Sequence, residues 1–296
     1  MPEMPEVESL ARWLNDRTTG LVIERADILA ISALKTFNPP LDALRGREVQ
    51  GWSRQGKFLI ARTTPAGEPS GESYFLCMHL ARAGWLRWSD EAKVPEKNKL
   101  TKGPQALRVV FADGSGFVAT EAGTDKRLRV YVVRDPQEIE HIRTLGPDPL
   151  GSDFTVESFR AILAANGRSQ IKGVITDQGT IAGVGNAYSD EALHIAKLSP
   201  FKPANSLTDA ELEALHGAIR DVLLEAIDRS AGKPASELKD AKRSGMRVHA
   251  RPGQVCPECG DVVREVSFAT KSLQYCATCQ TGGKPLADRR LSKLLK

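Results

Sequence analysis

Four of the five cysteines form two pairs of the type C-x2-C, with 16 residues between the pairs. The four residues are Cys256, Cys259, Cys276 and Cys279. Two such pairs place four thiolates at the corners of a tetrahedron, which is the geometry of a closed zinc site. A disulfide framework is the alternative, but it is typical of small secreted domains. The spacing therefore predicts one structural Zn²⁺ in a short ribbon, with the metal taking no part in chemistry.

Composition excludes several classes of protein. The chain has 296 residues, of which 41% are hydrophobic and 26% charged, as in globular proteins with real cores. Apolar runs such as Tyr74 to Leu80 are far shorter than the roughly 20 residues that cross a bilayer. The opening residues Met1 to Glu6 are acidic where a secretory signal is basic,. We therefore expect a cytoplasmic protein with no membrane partner. Cys77, which lies in the apolar run Tyr74 to Leu80, is expected to be a buried core thiol.

Basic charge is concentrated toward the C-terminal end. The formal net charge is only +4, but residues 239–251 and residues 281–296 each hold five basic residues against one acidic residue. Such a distribution is typical of a polyanion-binding module. A solvated, solubilising tail is the alternative for a charge run taken alone.

Hydrophobic periodicity predicts an α+β multi-domain fold. Apolar residues at helical spacing follow Pro5, and four β-rich regions come next, at residues 49–63, 73–88, 106–122 and 127–134,. A run rich in proline and glycine, Leu145 to Leu150, separates them from helical patterns at residues 154–166, 170–178, 188–198 and 208–230,. The domain limits that we infer are 1–135 for a β-sandwich, 136–152 for a hinge, 153–238 for a helical domain, and 239–296 for a basic linker, zinc ribbon and extension.

The second residue is a candidate nucleophile. Methionine is normally removed before a small residue such as Pro2, which exposes a secondary amine. An α-amino group titrates near roughly 7.7–8.0, so a useful fraction is unprotonated at neutral pH. Glu3 lies beside it and offers a carboxyl for proton transfer. Many chains begin with Met-Pro for no catalytic reason, so the dipeptide alone does not identify Pro2 as a nucleophile.

A glycine-rich turn precedes one of the predicted helices. Gly183-Val184-Gly185-Asn186 brings backbone amides close to the start of that helix, where an anion such as phosphate binds well,. The alternative is an ordinary connection between two helices.

Together these motifs resemble the formamidopyrimidine-DNA glycosylase / endonuclease VIII family of base-excision-repair enzymes, from one end of the chain to the other. The resemblance rests on separated motifs in the same order. They are residues 2–8 (PEMPEVE), 56–59 (GKFL), 145–150 (LGPDPL), 177–178 (DQ) and 183–191 (GVGNAYSDE), followed by the four cysteines.

The resemblance implies a fold and an activity. The fold would be an N-terminal helix plus β-sandwich lobe and a C-terminal helical lobe with a helix-two-turn-helix and the zinc ribbon. Pro2 would form a Schiff base with the sugar, Glu3 would be the acid that assists base loss and sugar-ring opening, and Lys57 would donate a proton during strand cleavage. The residues expected to bind DNA are Glu6, Arg82, Arg127, Lys172, Gly185 and Asn186. The partner would be damaged duplex DNA. The protein would be a monomer of bacterial type that associates with the nucleoid.

Three departures from the family pattern bear on substrate choice. Arg82 lies where the family usually has a methionine that fills the gap left by the flipped base. The loop that carries Arg127 lacks the family's aromatic wedge. Lys271 stands five residues before the third cysteine, where the family has an arginine, so we expect β-elimination with a weaker second, δ-elimination step. Lesion choice stays open between 8-oxoguanine or formamidopyrimidines and oxidised pyrimidines, because the short segment 233–251 resembles the endonuclease VIII type.

Two rival functions are weighed against this enzyme. A damaged-DNA-binding paralogue without turnover would keep the ribbon and the basic stretches but has no need of Pro2, Glu3 and Lys57 together. A hydrolytic nuclease would need a metal site of carboxylates and histidines, and the five histidines are not spaced as metal ligands,. Residues 281–296 have no family counterpart, and we expect them to add nonspecific phosphate contacts.

Overall fold

The computed structural model describes residues 2–92, 103–268 and 272–287. The chain divides into two compact units. Unit 1 comprises Met1–Thr144 with Ser230–Asp240, and unit 2 comprises Leu145–Arg229 with Ala241–Lys296.

Unit 1 is one helix on two four-stranded antiparallel sheets. The helix is α1 (Met4–Thr18). One sheet has the order β2-β3-β4-β8 and the other β1-β6-β7-β5. The strands are β1 (Ile23–Ile28), β2 (Arg47–Gln55), β3 (Phe58–Pro65), β4 (Tyr74–His79), β5 (Gly84–Ser89), β6 (Gln105–Phe111), β7 (Gly116–Glu121) and β8 (Arg129–Val133). A short helix, α2 (Glu140–Arg143), follows the last strand.

The two sheets and α1 enclose a single apolar core. Leu10 and Leu14 of α1, Leu59 of β3 and Phe111 of β6 belong to it, and each is fully buried. The outer face of the β2-β3-β4-β8 sheet carries a second cluster, capped by Ile142 of α2. Cys77 lies in that cluster and is fully buried, as expected, and burial raises the pKa of its thiol to about 12.

Ser230–Asp240 packs with unit 1, far along the chain from its other residues. Ala235 and Leu238 are part of the sandwich core. The indole N–H of Trp85 donates to the carbonyl of Ala235 at 2.8 Å. The sequence-based limits ended the helical domain at residue 238, whereas this segment groups with the sandwich because it buries apolar side chains there.

Unit 2 begins with four helices and ends with a small ribbon. The helices are α3 (Val156–Ala165), α4 (Ile171–Thr176), α5 (Asn186–Ile195) and α6 (Asp209–Ser230), which ends one residue beyond the unit's limit. After α7 (Leu238–Ser244), which begins in unit 1, the ribbon pairs β9 (Val263–Ser267) with β10 (Ser272–Cys276) and ends with α8 (Ala277–Thr281).

The α+β multi-domain fold with sandwich, helix-two-turn-helix and ribbon is confirmed. The capping box of α6 is present, since Thr208 N–H donates to Glu211 Oε2 at 2.8 Å, and residues 112–115 form the turn between β6 and β7. The sequence did not predict β1, because its pattern of burial is mixed. Within the described ranges, no helix combines the length and apolar character that a membrane span requires.

Candidate active site and nucleic-acid interface

The N-terminal residues are buried at the start of α1. Glu3 is the N-cap, and its backbone N–H donates to Glu6 Oε2 at 2.8 Å. Pro2 is buried, and Glu3 and Glu6 are each only 2% exposed. The carboxylate of Glu6 closes the first turn of the helix, and the DNA contact expected of Glu6 stays a prediction. A reciprocal cap of this kind fixes the direction in which the preceding proline enters.

Lys57 lies at the same end of the sandwich as Pro2 and Glu3. It follows Gly56 in the tight turn between β2 and β3, where Gly56 takes a positive φ of 54°. Two contacts set the course of α1 along β2: Asn15 Nδ2 donates to Trp52 O at 2.8 Å, and Glu8 pairs with Arg54 at 2.9 Å. Toward its N-terminus, α1 therefore runs along β2 toward the β2–β3 turn. The structure thus brings Pro2, Glu3 and Lys57 to one end of the sandwich.

His79 is a member of this site that the sequence reasoning missed. It ends β4, with Phe58 opposite it on one side and Arg129 on the other. Its Nδ1 accepts the N–H of Ala81 at 3.3 Å. Burial, followed by the positive charges of Lys57 and Arg129, lowers its pKa to about 4. The site therefore holds a neutral imidazole beside two cations, an arrangement suited to an anion such as phosphate.

Two loops present arginines at this end of unit 1. Arg82 is exposed in the turn before β5, and the loop after β7 carries Arg127, whose side chain is 65% exposed. Gly84 pairs with Glu121, which makes the two loops neighbours. The buried Glu121 carboxylate accepts the backbone N–H of Arg127 at 2.9 and 3.0 Å, so the loop backbone is held although its arginine faces solvent.

In unit 2, the glycine-rich turn leads directly into α5. Gly185 is the N-cap in an extended conformation, and Asn186 is the first residue of the helix. Gln178 fixes the turn, because its side chain accepts the N–H of Gly183 at 3.0 Å and donates to Val184 O at 2.8 Å. The result is a helix N-terminus with a preformed backbone, which is a general anion site.

Lys172 has internal partners for its ammonium group. Nζ donates to Asp190 Oδ1 at 2.6 Å, to Ser189 Oγ at 2.7 Å and to Asn186 O at 3.2 Å. An ammonium has three protons, so these three acceptors account for all of them. Lys172 is 8% exposed. A direct contact with a phosphate, as the resemblance implies, would cost one of these bonds.

The carboxylates of α5 also hold the segment before the ribbon. Asp190 Oδ2 contacts His249 Nδ1 at 2.7 Å. Glu191 accepts three consecutive backbone N–H groups, those of Arg247, Val248 and His249, at 2.7 to 3.0 Å. Burial raises the pKa of Glu191. Buried polar groups thus connect α4, α5 and residues 247–249.

Asn186 links the helix to the ribbon. Its Nδ2 donates to Ser272 O at 2.7 Å, at the start of β10. An amide nitrogen carries two protons, so this bond leaves one for another acceptor. Lys271, the expected counterpart of the family's arginine, lies outside the described residues.

The four cysteines converge as the spacing predicted. Their sulfur atoms all lie within 4.8 Å of one another, with 3.9 Å between those of Cys256 and Cys279 and 3.4 Å between those of Cys259 and Cys276. A disulfide needs about 2.05 Å, whereas four sulfurs around zinc at about 2.3 Å lie roughly 3.8 Å apart. His194 Nε2 approaches Cys256 Sγ at 3.3 Å, in the position of an outer-shell donor to a thiolate,. The donor set fits Zn²⁺.

Three family descriptions match successive parts of the chain. "Formamidopyrimidine-DNA glycosylase N-terminal domain" matches residues 1–122, "Formamidopyrimidine-DNA glycosylase H2TH domain" residues 145–237, and "Zinc finger found in FPG and IleRS" residues 253–282. The last match covers all four cysteines.

Curated and solved proteins agree with these matches. The formamidopyrimidine-DNA glycosylase of Symbiobacterium thermophilum is 34% identical over 98% of this chain and 93% of its own. An uncharacterized formamidopyrimidine-DNA glycosylase-like protein of Mycobacterium tuberculosis is 60% identical over 52% of this chain and 96% of its own. The Lactococcus lactis enzyme, solved in non-covalent complex with DNA containing an AP site, superposes with a TM-score of 0.78 at 26% identity, over 95% of this chain and all of that one. This chain therefore belongs to the formamidopyrimidine-DNA glycosylase family of DNA glycosylase/AP lyases.

Proposed function

We propose that this enzyme removes oxidised bases from duplex DNA and then cleaves the strand through a Schiff base on Pro2. The observation that carries the proposal is the gathering of Pro2, Glu3 and Lys57 at one end of unit 1, with the neutral imidazole of His79 and the cation of Arg129 beside Lys57. A binding protein has no use for a buried proline terminus next to a buried carboxyl.

The chemistry needs only these groups. The unprotonated Pro2 amine forms a bond to the sugar's anomeric carbon while the bond to the damaged base breaks, and the base leaves with a proton. The bond between the anomeric carbon and the ring oxygen then breaks, with Glu3 supplying the proton that the ring oxygen takes up, and the nitrogen lone pair forms an open-chain iminium. This iminium makes the neighbouring sugar proton acidic. Loss of that proton expels the 3′ phosphate, with Lys57 supplying a proton in that step, and water then releases the sugar remnant from Pro2. One intermediate thus serves base removal and β-elimination. The weaker δ-elimination assigned to Lys271 stays a prediction.

Both units would bind the DNA backbone. Arg82 and Arg127 offer exposed guanidinium groups in unit 1, while the helix start at Gly185 and Asn186 offers backbone N–H groups in unit 2,. Base excision requires the damaged nucleotide to leave the stack, so a firm hold on the flanking phosphates is part of the mechanism. The solved relatives are complexes with DNA that carries an AP site, an 8-oxoguanine analogue or a formamidopyrimidine.

One Zn²⁺ bound by the four cysteines would be structural. With every ligand position taken by sulfur, no position is open to water. Its chemistry would be to hold β9, β10 and α8 in one shape, and no catalytic step passes through it. We also propose that the protein acts as a monomer in the cytoplasm, at the nucleoid.

The proposal is tested by incubating the zinc-loaded chain with labelled duplexes that carry 8-oxoguanine, a formamidopyrimidine, an oxidised pyrimidine or an abasic site. We expect base release and nicking of at least one lesion and of the abasic site, and neither from undamaged DNA. The order of rates assigns the lesion class. Tight, damage-dependent binding without any product, in protein shown to have lost Met1, would contradict the proposal and favour the damage-binding paralogue.

A further inference from the structure

Glu121, the last residue of β7, is a buried acid whose carboxylate accepts backbone N–H groups from the loop that follows it. It is 3% exposed. Its Oε1 accepts the N–H of Arg127 at 2.9 Å, and its Oε2 accepts the N–H groups of Arg127 and Leu128 at 3.0 and 2.9 Å. Its backbone carbonyl accepts from Lys126 Nζ. Bonds from N–H groups to a carboxylate are roughly twice as strong as those between neutral groups. Glu121 therefore holds residues 126–128 in one conformation.

This hold fixes how the loop presents Arg127. Leu128 is 2% exposed and belongs to the sandwich core, whereas the side chain of Arg127 is 65% exposed. The guanidinium of Arg127 pairs with Asp125 at 2.8 Å, and the Asp125 side chain is 63% exposed. An ion pair this exposed is weak, so a group of the DNA can take the place of Asp125 at little cost.

The neighbouring turn, which carries Arg82, is fixed by its own backbone. Gly84 N–H donates to Leu80 O at 2.8 Å and closes the turn. A Cβ on Gly84 would lie 2.0 Å from Leu80 O, so no larger residue fits there. Ala81 takes a positive φ of 52°, which costs a non-glycine residue energy and is most often found at functional sites. Arg82 is thus presented from a preformed backbone.

Glu121 joins this turn to the loop of Arg127, because its backbone pairs with Gly84 while its carboxylate holds the loop. We propose that Glu121 is the positioning residue that holds Arg127 beside Arg82 for binding to damaged DNA. The inference rests on the proposed function and deepens it, since it gives a role in DNA binding to a buried side chain that no step of the catalytic scheme uses.

The physical reason is preorganisation. A glutamine at position 121 would replace one accepting oxygen with an NH₂ group, which cannot accept from the N–H groups of Arg127 and Leu128. The loop would then adopt several conformations in the free protein, and DNA binding would have to order it. Ordering a long side chain on binding lowers affinity even when the final contact is the same.

The test is a double-mutant cycle on the zinc-loaded full chain, with binding measured to a fluorescent duplex that carries a tetrahydrofuran abasic analogue. Glu121→Gln should weaken binding roughly 3- to 10-fold, and Arg127→Ala at least as much. If Glu121 acts through Arg127, the double variant should bind no more than about twofold more weakly than Arg127→Ala. A residue that only stabilised the fold would act equally with or without the arginine, so two losses that multiply would overturn the inference.

Glu138→Gln is the matched control. Glu138 also accepts two backbone N–H groups, those of Arg134 and Asp135 at 3.1 and 3.0 Å, in the exposed turn after β8. Its substitution should leave the affinity for the duplex unchanged. A loss equal to that of Glu121→Gln would mean that binding responds to any weakened turn of unit 1, and would overturn the role of Glu121.

Hydrogen exchange of the unsubstituted chain tests the hold on the loop without any variant. The amide protons of Arg127 and Leu128 should exchange far more slowly than those of an unstructured peptide, and free exchange of both would overturn the inference. Borohydride trapping at saturating abasic DNA distinguishes this failure from failure of the proposed function, because trapping requires Pro2 and does not require Glu121. Absence of trapping in the unsubstituted chain contradicts the proposed function, whereas normal trapping with multiplying losses contradicts only the role of Glu121.

Discussion

Both units bury charged side chains, but in different parts of their folds. In unit 1 a wholly apolar core lies between two sheets, and the charged residues of the site lie in turns at one end, as Lys57, Arg82 and Arg127 do. In unit 2, helix α5 itself buries Asp190 and Glu191, at 1% and 3% exposure. Both units thus have apolar cores, and unit 2 differs in that a buried polar network and the cysteine cluster hold α5 and the segment before the ribbon together.

Removal of zinc should produce the largest difference between the two units, because it should abolish the fold of the ribbon in unit 2 and leave unit 1 intact. A chelator, or Cys276→Ser, should lower affinity for abasic duplex by roughly 100-fold or more, because structural zinc supplies much of the folding free energy of such ribbons. All four tryptophans, Trp13, Trp52, Trp85 and Trp88, lie in unit 1. Their emission should therefore stay unchanged while DNA binding is lost. A red shift of the tryptophan emission that accompanies zinc loss would show that the units do not differ in this way.

Lys57→Met should slow the chemistry far more than it weakens DNA binding. Loss of a positioned proton donor typically costs about 10²- to 10⁴-fold in rate. We expect strand nicking to slow by that range while the affinity for tetrahydrofuran DNA changes little and the Schiff base still forms. Lys197→Met, at an exposed position of unit 2, is the control and should nick at the normal rate. Equal nicking rates for the two variants would remove Lys57 from the mechanism.

Two ion pairs of unit 2 provide a comparison of buried with exposed charge. Asp190→Asn leaves the ammonium of Lys172 buried without its carboxylate, which typically costs about 3–5 kcal/mol. Asp209→Asn breaks the exposed pair with Arg160, whose partners are 48% and 77% exposed, and should cost about 0–1 kcal/mol. Urea unfolding of the zinc-loaded protein, followed by far-UV circular dichroism, measures both. Similar losses for the two variants would contradict the dependence of unit 2 on its buried network.

His79 should make the stability of unit 1 sensitive to acid. Its pKa is 6.5 without perturbation and about 4 in the folded protein. Above pH 6.5 both states are neutral, and as pH falls the unfolded state takes up the proton first, so stability is lost between pH 6.5 and about 4,. The loss amounts to about 3 kcal/mol. His79→Gln should flatten tryptophan-detected urea unfolding over this range. A His79→Gln variant that retained the dependence would assign the sensitivity elsewhere.

Features with a local signal could be predicted from the sequence. The C-x2-C pairs, the capping box of Thr208 and Glu211, and the turn at residues 112–115 each depend on neighbours a few residues away. The ends of the long helix α6 were predicted to within one residue for the same reason. Such motifs have the same physical meaning wherever they occur.

Features that depend on distant contacts could not be predicted. The place of Ala235 in the sandwich core follows from a hydrogen bond to Trp85, 150 residues away. The contacts of Asp190 and Ser189 with the ammonium of Lys172 join residues 18 and 17 positions apart, and no local pattern predicts them. The phosphate contact expected of Lys172 stays a prediction. His79 was set aside because histidines were judged by metal-ligand spacing, whereas its importance comes from the strands on either side.

The central claim is that the amine of residue 2 attacks the sugar at the end of unit 1. Borohydride reduction of the protein with an abasic duplex, followed by proteolysis and mass spectrometry of the cross-linked peptide, tests it most directly. We predict an adduct on the nitrogen of Pro2, in protein that has lost Met1, and no adduct when that amine is chemically blocked. An adduct on a lysine, or trapping that survives the block, would contradict the claim.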